Sequence, residues 1–165
     1  MLRVTYLEAR LPPPTLAPRS NSIERIVRER LSLEAYLRLY RRVGEPLRWD
    51  QRLTMPEGEL RALLESAFSS IYVLRDSSNE ALGFCEFDRG AFPHIELKNF
   101  GLVTDAQGKG LGPWLLHHSL QEEWRSNPAR IWLHTDTWDH PAAIRVYERA
   151  GFRVYEVRDE PAGRL

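Results

Sequence analysis

The sequence predicts an α/β protein whose mixed β-sheet is covered by helices on both faces. Three segments rich in β-forming residues, separated by short turns, occupy residues 70–103, which is typical of an antiparallel meander. A helix, a strand, a helix and a strand then alternate through residue 158. This alternation is typical of a crossover that packs helices against a sheet, so the two patterns together predict a mixed sheet.

Cap and turn residues set the boundaries of these elements. Ser32 is a good N-cap, Gly44 is a typical helix stop, and Pro56 fits the first turn of a helix. We expect an irregular segment at residues 49–52 and turns at residues 76–79 and 90–93. The predicted elements, in order, are strands 2–7 and 23–30, helices 33–43 and 56–67, strands 70–75, 81–87 and 94–103, helix 111–124, strand 130–135, helix 141–150 and strand 152–158.

Residues 11–18 contain four prolines in seven consecutive positions, which is incompatible with a helix interior or a central strand. We therefore predict a polyproline-type arm that runs over the surface. The predicted organisation is an N-terminal arm of residues 1–22, one domain of residues 23–158, and a tail of residues 159–165.

Composition excludes several classes of partner. The 165 residues include 23 Lys and Arg against 23 Asp and Glu, so charge gives no reason to expect nucleic acid or a membrane surface. A single cysteine rules out an internal disulfide and suits a reducing compartment. No apolar run approaches the length of a membrane helix. We expect a cytoplasmic protein, and an exposed edge strand is compatible with a homodimer.

A glycine-rich loop between a strand and a helix is the strongest functional signal. Gly108, Gly110 and Gly112 alternate with other residues, and Pro113 follows at a position typical of a first helical turn. Free N–H groups and the positive end of the helix dipole therefore point into the loop. Glycines also let the backbone approach a phosphate closely. The loop is a predicted anion site, although a connection that binds nothing remains the alternative.

The spacing of this loop distinguishes between known phosphate-binding motifs. Lys109 is followed by Gly110, which rules out a Walker A loop, and the G-x-G-x-G spacing departs from the dinucleotide fingerprint. The run Gln107–Gly112 matches Q/R-x-x-G-x-G/A at every fixed position. A second run, His140–Phe152, matches N-x-x-A-I-x-x-Y-x-x-x-G-F except that His140 stands in place of asparagine. Both motifs resemble those of the GNAT superfamily of N-acetyltransferases.

The resemblance implies a sheet that is splayed at its centre, where the fourth and fifth strands of the family separate to admit acetyl-CoA. It implies acetyl-CoA as co-substrate. The pyrophosphate would bind the loop N–H groups, and the pantetheine amides would pair with a strand edge. An N–H near Leu102 would face the thioester oxygen. The residues expected to contact acetyl-CoA are Phe100, Gly101, Leu102, Gln107, Gly108, Lys109, Gly110, Leu111, Gly112, Pro113 and His140.

An amine acceptor must lose a proton to become nucleophilic, so a base is needed. Glu96 stands at the position of the catalytic glutamate in several members of the superfamily, which makes it the candidate base. The alternative is that Glu96 forms a salt bridge with Lys98 or another cation. Glu86 is a second candidate, because it lies within an otherwise apolar strand.

The departing thiolate benefits from an acid, and Tyr147 falls in register with the tyrosine of the second motif. The alternative is a core tyrosine whose hydroxyl meets a backbone group.

Cys85 fits a core position better than the role of a nucleophile. The histidines lack metal-ligand spacing, so we predict no metal site.

The predicted function is transfer of an acetyl group from acetyl-CoA to a primary amine by direct attack in a ternary complex. The alternative is an acyl-CoA-binding module with little or no transferase activity. The acceptor, a small-molecule or peptide amine, is expected to meet the N-terminal helices and the loops that carry Trp49 and Trp138. Asp50 and Asp139 are the candidates to hold its ammonium group.

Overall fold

The protein's structure, a computed structural model, describes residues 1–16, 19 and 22–162. The strands are β1 (Leu2–Ala9), β2 (Arg25–Arg28), β3 (Ser69–Arg75), β4 (Ala81–Ala91), β5 (His94–Leu102), β6 (Arg130–Asp136) and β7 (Arg153–Glu160). The helices are α1 (Leu33–Gly44), α2 (Gln51–Thr54), α3 (Glu57–Glu65), α4 (Leu111–Trp124) and α5 (Ala143–Arg149), with 3-10 turns at Glu45–Leu47 and Thr104–Ala106.

The strands form one seven-stranded sheet in the order β2-β3-β4-β5-β6-β1-β7. The β5–β6 pair is parallel and the other neighbouring pairs are antiparallel. Helices cover both faces: the Glu86 side chain of β4 reaches Tyr36 of α1, while Tyr72, on the opposite face, reaches Glu123 of α4. The predicted mixed sheet with helices on both faces is confirmed.

The N-terminal residues belong to the sheet. Strand β1 lies between β6 and β7 and pairs with both, with Val4 opposite Asp136 on one side and Arg158 on the other. Its side chains Val4 and Leu7 are fully buried. The predicted arm of residues 1–22 therefore differs from the structure over Leu2–Ala9, while the strand predicted at residues 2–7 is present. Part of the proline segment, Ala17 and Pro18, lies outside the described residues, as do Gly163–Leu165 of the predicted tail.

Strands β5 and β6 diverge at the centre of the sheet. They pair in parallel over three positions, from His94 opposite Arg130 to Glu96 opposite Trp132. Beyond Glu96, the edge of β5 that faces β6 has no strand partner among the described residues. The sheet therefore contains a wedge-shaped gap between these two strands, as the resemblance implied.

A β-bulge in β5 changes which side chains share a face. Leu97 lies opposite Phe87 and Asn99 opposite Glu86, which leaves Lys98 without a partner on β4. Such an extra residue reverses the alternation of side chains along a strand. Glu96 therefore lies on the α1 face of the sheet with Asn99, whereas Phe100 and Leu102 lie on the α4 face.

A buried ion pair between Glu86 and Arg52 lies on the α1 face of the sheet. Glu86 accepts hydrogen bonds from Tyr36 of α1, from Arg52 of α2 and, at 3.2 Å, from Asn99 of β5. Glu86 is 1% exposed and Arg52 is 6% exposed. The Tyr40 hydroxyl also accepts a hydrogen bond from the Arg52 backbone N–H. These contacts fix α2 and the preceding turn against the sheet.

Several predicted boundaries are shifted, each for a local reason. The helix predicted at 56–67 ends at Glu65, because Ser66 is extended and its N–H turns back to the carbonyl oxygen of Leu63. The segment predicted as irregular at 49–52 contains the start of α2. Strand β4 continues into the turn predicted at 90–93. Gly151 has φ +101°, as expected for a glycine that ends a helix. The remaining elements lie within a few residues of their predicted positions.

Breaking the buried ion pair should destabilise the fold. Arg52→Ala leaves the Glu86 carboxylate buried without its cation, which typically costs about 3–5 kcal/mol. Arg61→Ala is the matched control, because its pair with Glu57 is exposed and such pairs contribute about 0.3–0.5 kcal/mol. Urea denaturation followed by far-UV circular dichroism measures both. Equal losses in the two variants would contradict a stabilising role for the buried pair.

Candidate active site

A cavity of about 360 Å³ lies between the glycine loop, the end of β5 and the start of α5; we refer to it as the loop cavity. It is lined by most of the residues that the resemblance assigned to acetyl-CoA, and by residues of α5 and its preceding loop. The lining residues are Leu47, Phe100, Gly101, Leu102, Gln107, Gly108, Gly110, Gly112, Pro113, Asp139, His140, Ala142, Ala143, Val146 and Tyr147.

The loop backbone adopts the conformation that its glycines permit. Gly108 has φ +75° and Gly110 has φ +76°, both in the left-handed region that side chains disfavour. Helix α4 begins directly after Gly110, which makes no side-chain cap bond. The first N–H groups of α4 are therefore free of intrahelical partners and lie beside the cavity. Such a helix start is suited to an anion.

The edge of β5 offers backbone hydrogen-bonding groups to the gap. The Val103 N–H donates to the Leu82 carbonyl oxygen at 2.8 Å, so it points toward β4. Successive N–H groups alternate in direction along a strand, so those of Leu102 and Phe100 point the opposite way, into the gap. The Gln107 amide donates to the Leu102 carbonyl oxygen at 3.3 Å, which is consistent with that direction. An extended chain in the gap would find a free strand edge.

Two of the expected contact residues do not line the cavity. Leu111 is 2% exposed and belongs to the hydrophobic core, so its side chain anchors the start of α4. Lys109 is exposed, and its carbonyl oxygen accepts a hydrogen bond from Arg19 at 3.3 Å. The Arg19 guanidinium also lies 5.4 Å from the centre of the Trp114 ring. Sequence reasoning missed this cation beside the loop, because Arg19 is distant in sequence.

One ring nitrogen of His140 forms a hydrogen bond within the protein. Its Nδ1 accepts a hydrogen bond from the Ala142 backbone N–H at 3.1 Å, ahead of α5. A ring nitrogen that accepts carries no proton, so the proton of this imidazole lies on Nε2. His140 also lines the loop cavity, where it replaces the asparagine of the motif.

A second cavity of about 110 Å³ opens on the other side of the gap; we refer to it as the carboxylate cavity. Three aspartates and several aromatic side chains line it. Its lining residues are Leu2, Tyr40, Leu47, Arg48, Trp49, Asp50, Gln51, Leu97, Lys98, Asn99, Phe100, Leu133, His134, Asp136, Trp138, Asp139 and Tyr147. Leu47, Phe100, Asp139 and Tyr147 line both cavities, so the two meet at these residues.

Tyr147 is held firmly at this junction. Its ring makes edge contacts with Phe100 and Phe152, each at a centroid distance of 5.9 Å. Burial, together with the nearby charge of Asp139, raises the pKa of Tyr147 well above its usual value. The hydroxyl is therefore protonated at neutral pH.

The structure does not bring Glu96 to either cavity. Its carboxylate lies 3.1 Å from the ammonium group of Lys98, which is the salt bridge considered as the alternative. The bulge at Lys98 also separates Glu96 from the face of Phe100 and Leu102. Glu86 is committed to the buried ion pair with Arg52. The geometry supports neither glutamate as a group that touches an acceptor.

The structure adds two residues to the site that sequence reasoning did not identify. Asp136 and His134 of β6 both line the carboxylate cavity. Burial and the neighbouring Asp139 raise the pKa of Asp136. The signal available in the sequence was the spacing of Asp136 and Asp139 around a turn that follows a strand. Asp50 and Asp139, the predicted ammonium ligands, line the same cavity.

The described residues contain no group of three or more metal-binding side chains. None of their helices is both long enough and apolar enough to cross a membrane. Cys85 is fully buried, and burial raises the pKa of its thiol, so its side chain belongs to the core.

The splayed sheet and the glycine loop at the gap define the acyltransferase class of fold. Comparison with protein families agrees, because the profile of the GNAT family of acetyltransferases matches residues 32–152. The protein belongs to the GNAT acetyltransferase family. No curated protein sequence matches the chain significantly.

Solved structures share the fold at low sequence identity. A GCN5-related N-acetyltransferase from Sphaerobacter thermophilus superposes with a TM-score of 0.65 at 18% identity, over 94% of this chain and 49% of that one. A putative GNAT acetyltransferase from Novosphingobium aromaticivorans gives 0.64 at 19% identity, over 94% and 61%. This chain thus spans only about half to three fifths of those two proteins.

A third structure is of similar length to this protein. The ribosomal-protein-S18-alanine N-acetyltransferase from Escherichia coli gives a TM-score of 0.58 at 21% identity, over 77% of each chain. At these identities, the likeness concerns the fold alone.

Proposed function

We propose that the protein is an N-acetyltransferase that transfers the acetyl group of acetyl-CoA to a primary amine by direct attack in a ternary complex. The observation that carries this proposal is the meeting of two cavities in the gap between β5 and β6. One is lined by the glycine loop and the other by carboxylates, and Tyr147 lines both. Two substrates bound in these cavities would meet without a covalent enzyme intermediate.

The described residues suit acetyl-CoA at two points. The free N–H groups of the loop and of the first turn of α4 suit its pyrophosphate, and Arg19 adds positive charge nearby. The edge of β5 at Phe100 and Leu102 suits the amides of the pantetheine arm, which would add to the strand as an extended chain. When bound, acetyl-CoA supplies the thioester that the amine attacks.

The backbone N–H at Phe100 or Leu102 is suited to the developing oxyanion. Such donors stabilise a transition state because they are fixed before the reaction begins. Tyr147, protonated at neutral pH, is placed to give a proton to the departing sulfur. Both roles depend on the junction where the two cavities meet.

The acceptor is proposed to be a small-molecule or peptide amine that enters through the carboxylate cavity. Asp50, Asp136 and Asp139 attract an ammonium group, and Trp49 and Trp138 offer apolar surface to its carbon chain. A panel of alkylamines, polyamines, amino-acid amides and short peptides tests this, with free thiol release as the readout.

The second candidate function is an acyl-CoA-binding module without efficient transfer. His140 in place of the asparagine of the motif favours it. Acetyl-CoA that binds, without thiol release above the hydrolysis background for any amine in the panel, would support this candidate over the transferase.

Acetyl-CoA and CoA should raise the melting temperature, because a ligand that binds only the native state stabilises it. Gly110→Asp should abolish the increase by placing a carboxylate beside the pyrophosphate. Gly110→Asn is the matched control, since Asn and Asp tolerate a positive φ about equally and differ in charge. If acetyl-CoA raises the melting temperature of Gly110→Asp as much as that of the wild type, the pyrophosphate binds elsewhere.

Tyr147→Phe should slow the chemical step by up to about 10²-fold, the low end for acid–base catalysis, because thiolate is already a good leaving group. Binding of acetyl-CoA should be unchanged, since the ring still packs against Phe100 and Phe152. Single-turnover acetyl transfer at saturating acetyl-CoA, with thermal melts of both proteins, measures the effect. An unchanged rate in a clearly destabilised variant would identify Tyr147 as a core residue.

A further inference from the structure

We propose that Asp139, with Asp136 as its positioning partner, takes the proton of the attacking amine, in place of Glu96. This inference rests on the proposed N-acetyltransferase function and assigns the base within it. It follows from where Asp139 lies, how its carboxylate is held, and which charges surround it.

Asp139 lies where the two substrates would meet. It is a carboxylate that lines both the loop cavity and the carboxylate cavity, and it shares this position with the aromatic side chains of Phe100 and Tyr147. Asp50 and Asp136 line the carboxylate cavity alone, so they suit the ammonium group as it approaches, before its nitrogen reaches the junction of the two cavities. Glu96 lines neither cavity and is paired with Lys98.

The carboxylate of Asp139 is held in one orientation by the protein. Its Oδ1 accepts a hydrogen bond from the Trp49 indole N–H at 3.3 Å. Its Oδ2 accepts one from the Thr135 hydroxyl and one from the Asp136 backbone N–H, the latter at 3.1 Å. An ionised carboxylate has about four acceptor positions, so roughly one remains for a substrate N–H. A group fixed in this way needs little reorganisation before it accepts a proton.

Asp136 supplies a like charge next to this group. Its own carboxylate accepts a hydrogen bond from the Trp138 backbone N–H at 2.8 Å. Burial and the charge of the neighbouring Asp139 raise the pKa of Asp136, so the two carboxylates interact. The other charged or titratable side chains that line the two cavities are Tyr40, Arg48, Asp50, Lys98, His134, His140 and Tyr147.

The chemical step balances within these residues. The ammonium form of the acceptor first releases one proton to solvent through the carboxylate cavity. The lone pair of the resulting amine nitrogen then forms a bond to the thioester carbonyl carbon, and one N–H proton passes to the Asp139 carboxylate. The C–S bond breaks, its electron pair stays on sulfur, and the hydroxyl proton of Tyr147 passes to that sulfur. The Asp139 proton then leaves to solvent through the carboxylate cavity, and water restores the proton of Tyr147.

The test is single-turnover acetyl transfer from acetyl-CoA to the best amine of the panel, for Asp139→Asn, Asp136→Asn and Glu96→Gln, over a range of pH. Asp159→Asn is the matched control, because this aspartate is exposed on β7. Thermal melts and CoA binding by calorimetry show that each variant is folded. These two readouts do not depend on catalysis.

Asp139→Asn should lower the rate by about 10²–10⁴-fold at neutral pH with CoA affinity retained, as expected when a general base is lost. Glu96→Gln should cost much less. Asp136→Asn should move the acid limb of the pH–rate profile to lower pH, because a negative charge that disfavours a second carboxylate beside it is removed. A purely structural Asp136 would leave that limb in place.

Transfer by Asp139→Asn within a few-fold of wild type, or a large loss in Glu96→Gln alone, would overturn the assignment. If Asp139→Asn fails to fold, the pH–rate profile of Asp136→Asn becomes the deciding measurement. An acid limb at the same pH as in the wild type would then reject the roles of Asp139 and Asp136. Wild-type protein that binds acetyl-CoA but transfers to no amine would instead reject the proposed function itself.

Discussion

Within the part of the chain that the structure describes, the edge of β5 beyond Glu96 has no strand partner, and the rest of the site depends on this constraint. Backbone N–H and carbonyl groups in a sheet need hydrogen-bond partners, and pairing with β6 ends after three positions. The Gln107 amide meets the carbonyl of Leu102, but the N–H groups of Phe100 and Leu102 face the gap. The chain therefore keeps a strand edge available to a ligand at the middle of its sheet.

The two walls of this gap are held by different parts of the chain. Strand β1 completes the sheet on the far side of β6, with Val4 and Leu7 fully buried, so the N-terminal residues support the wall that carries Asp136. On the near side, the Glu86–Arg52 ion pair holds α2 and also receives the Asn99 amide. Gly101 allows α1 to approach, since a Cβ there would lie 2.5 Å from Val43 Cγ1. The gap is thus a product of tertiary packing on both sides.

The glycine-rich lining of the loop cavity follows from the sequence, because its residues are close together in the chain. Gln107, Gly108, Gly110, Gly112 and Pro113 form one contiguous run, and their conformation follows from local rules for glycine and for helix starts. All five line the loop cavity, as do the more distant His140 and Tyr147. A short motif of this kind carries its own geometry, so little tertiary information is needed to place it.

The acceptor side could not be predicted in the same way. One unpaired residue, Lys98, reverses the alternation of β5, and a bulge has no reliable sequence signal, so the face on which Glu96 lies could not be predicted. The contact between Trp49 and Asp139 joins residues 90 positions apart. The position of β1 between β6 and β7 likewise depends on the whole sheet, since its pattern alone indicates a strand without naming its neighbours.

Amide hydrogen exchange with and without acetyl-CoA measures whether the ligand fills the gap beside β5. We expect slower exchange at Phe100, Leu102 and residues 108–112 in the presence of acetyl-CoA, with no change along β7. Unchanged exchange at Phe100 and Leu102, in a sample that a thermal shift shows to be saturated with acetyl-CoA, would contradict it.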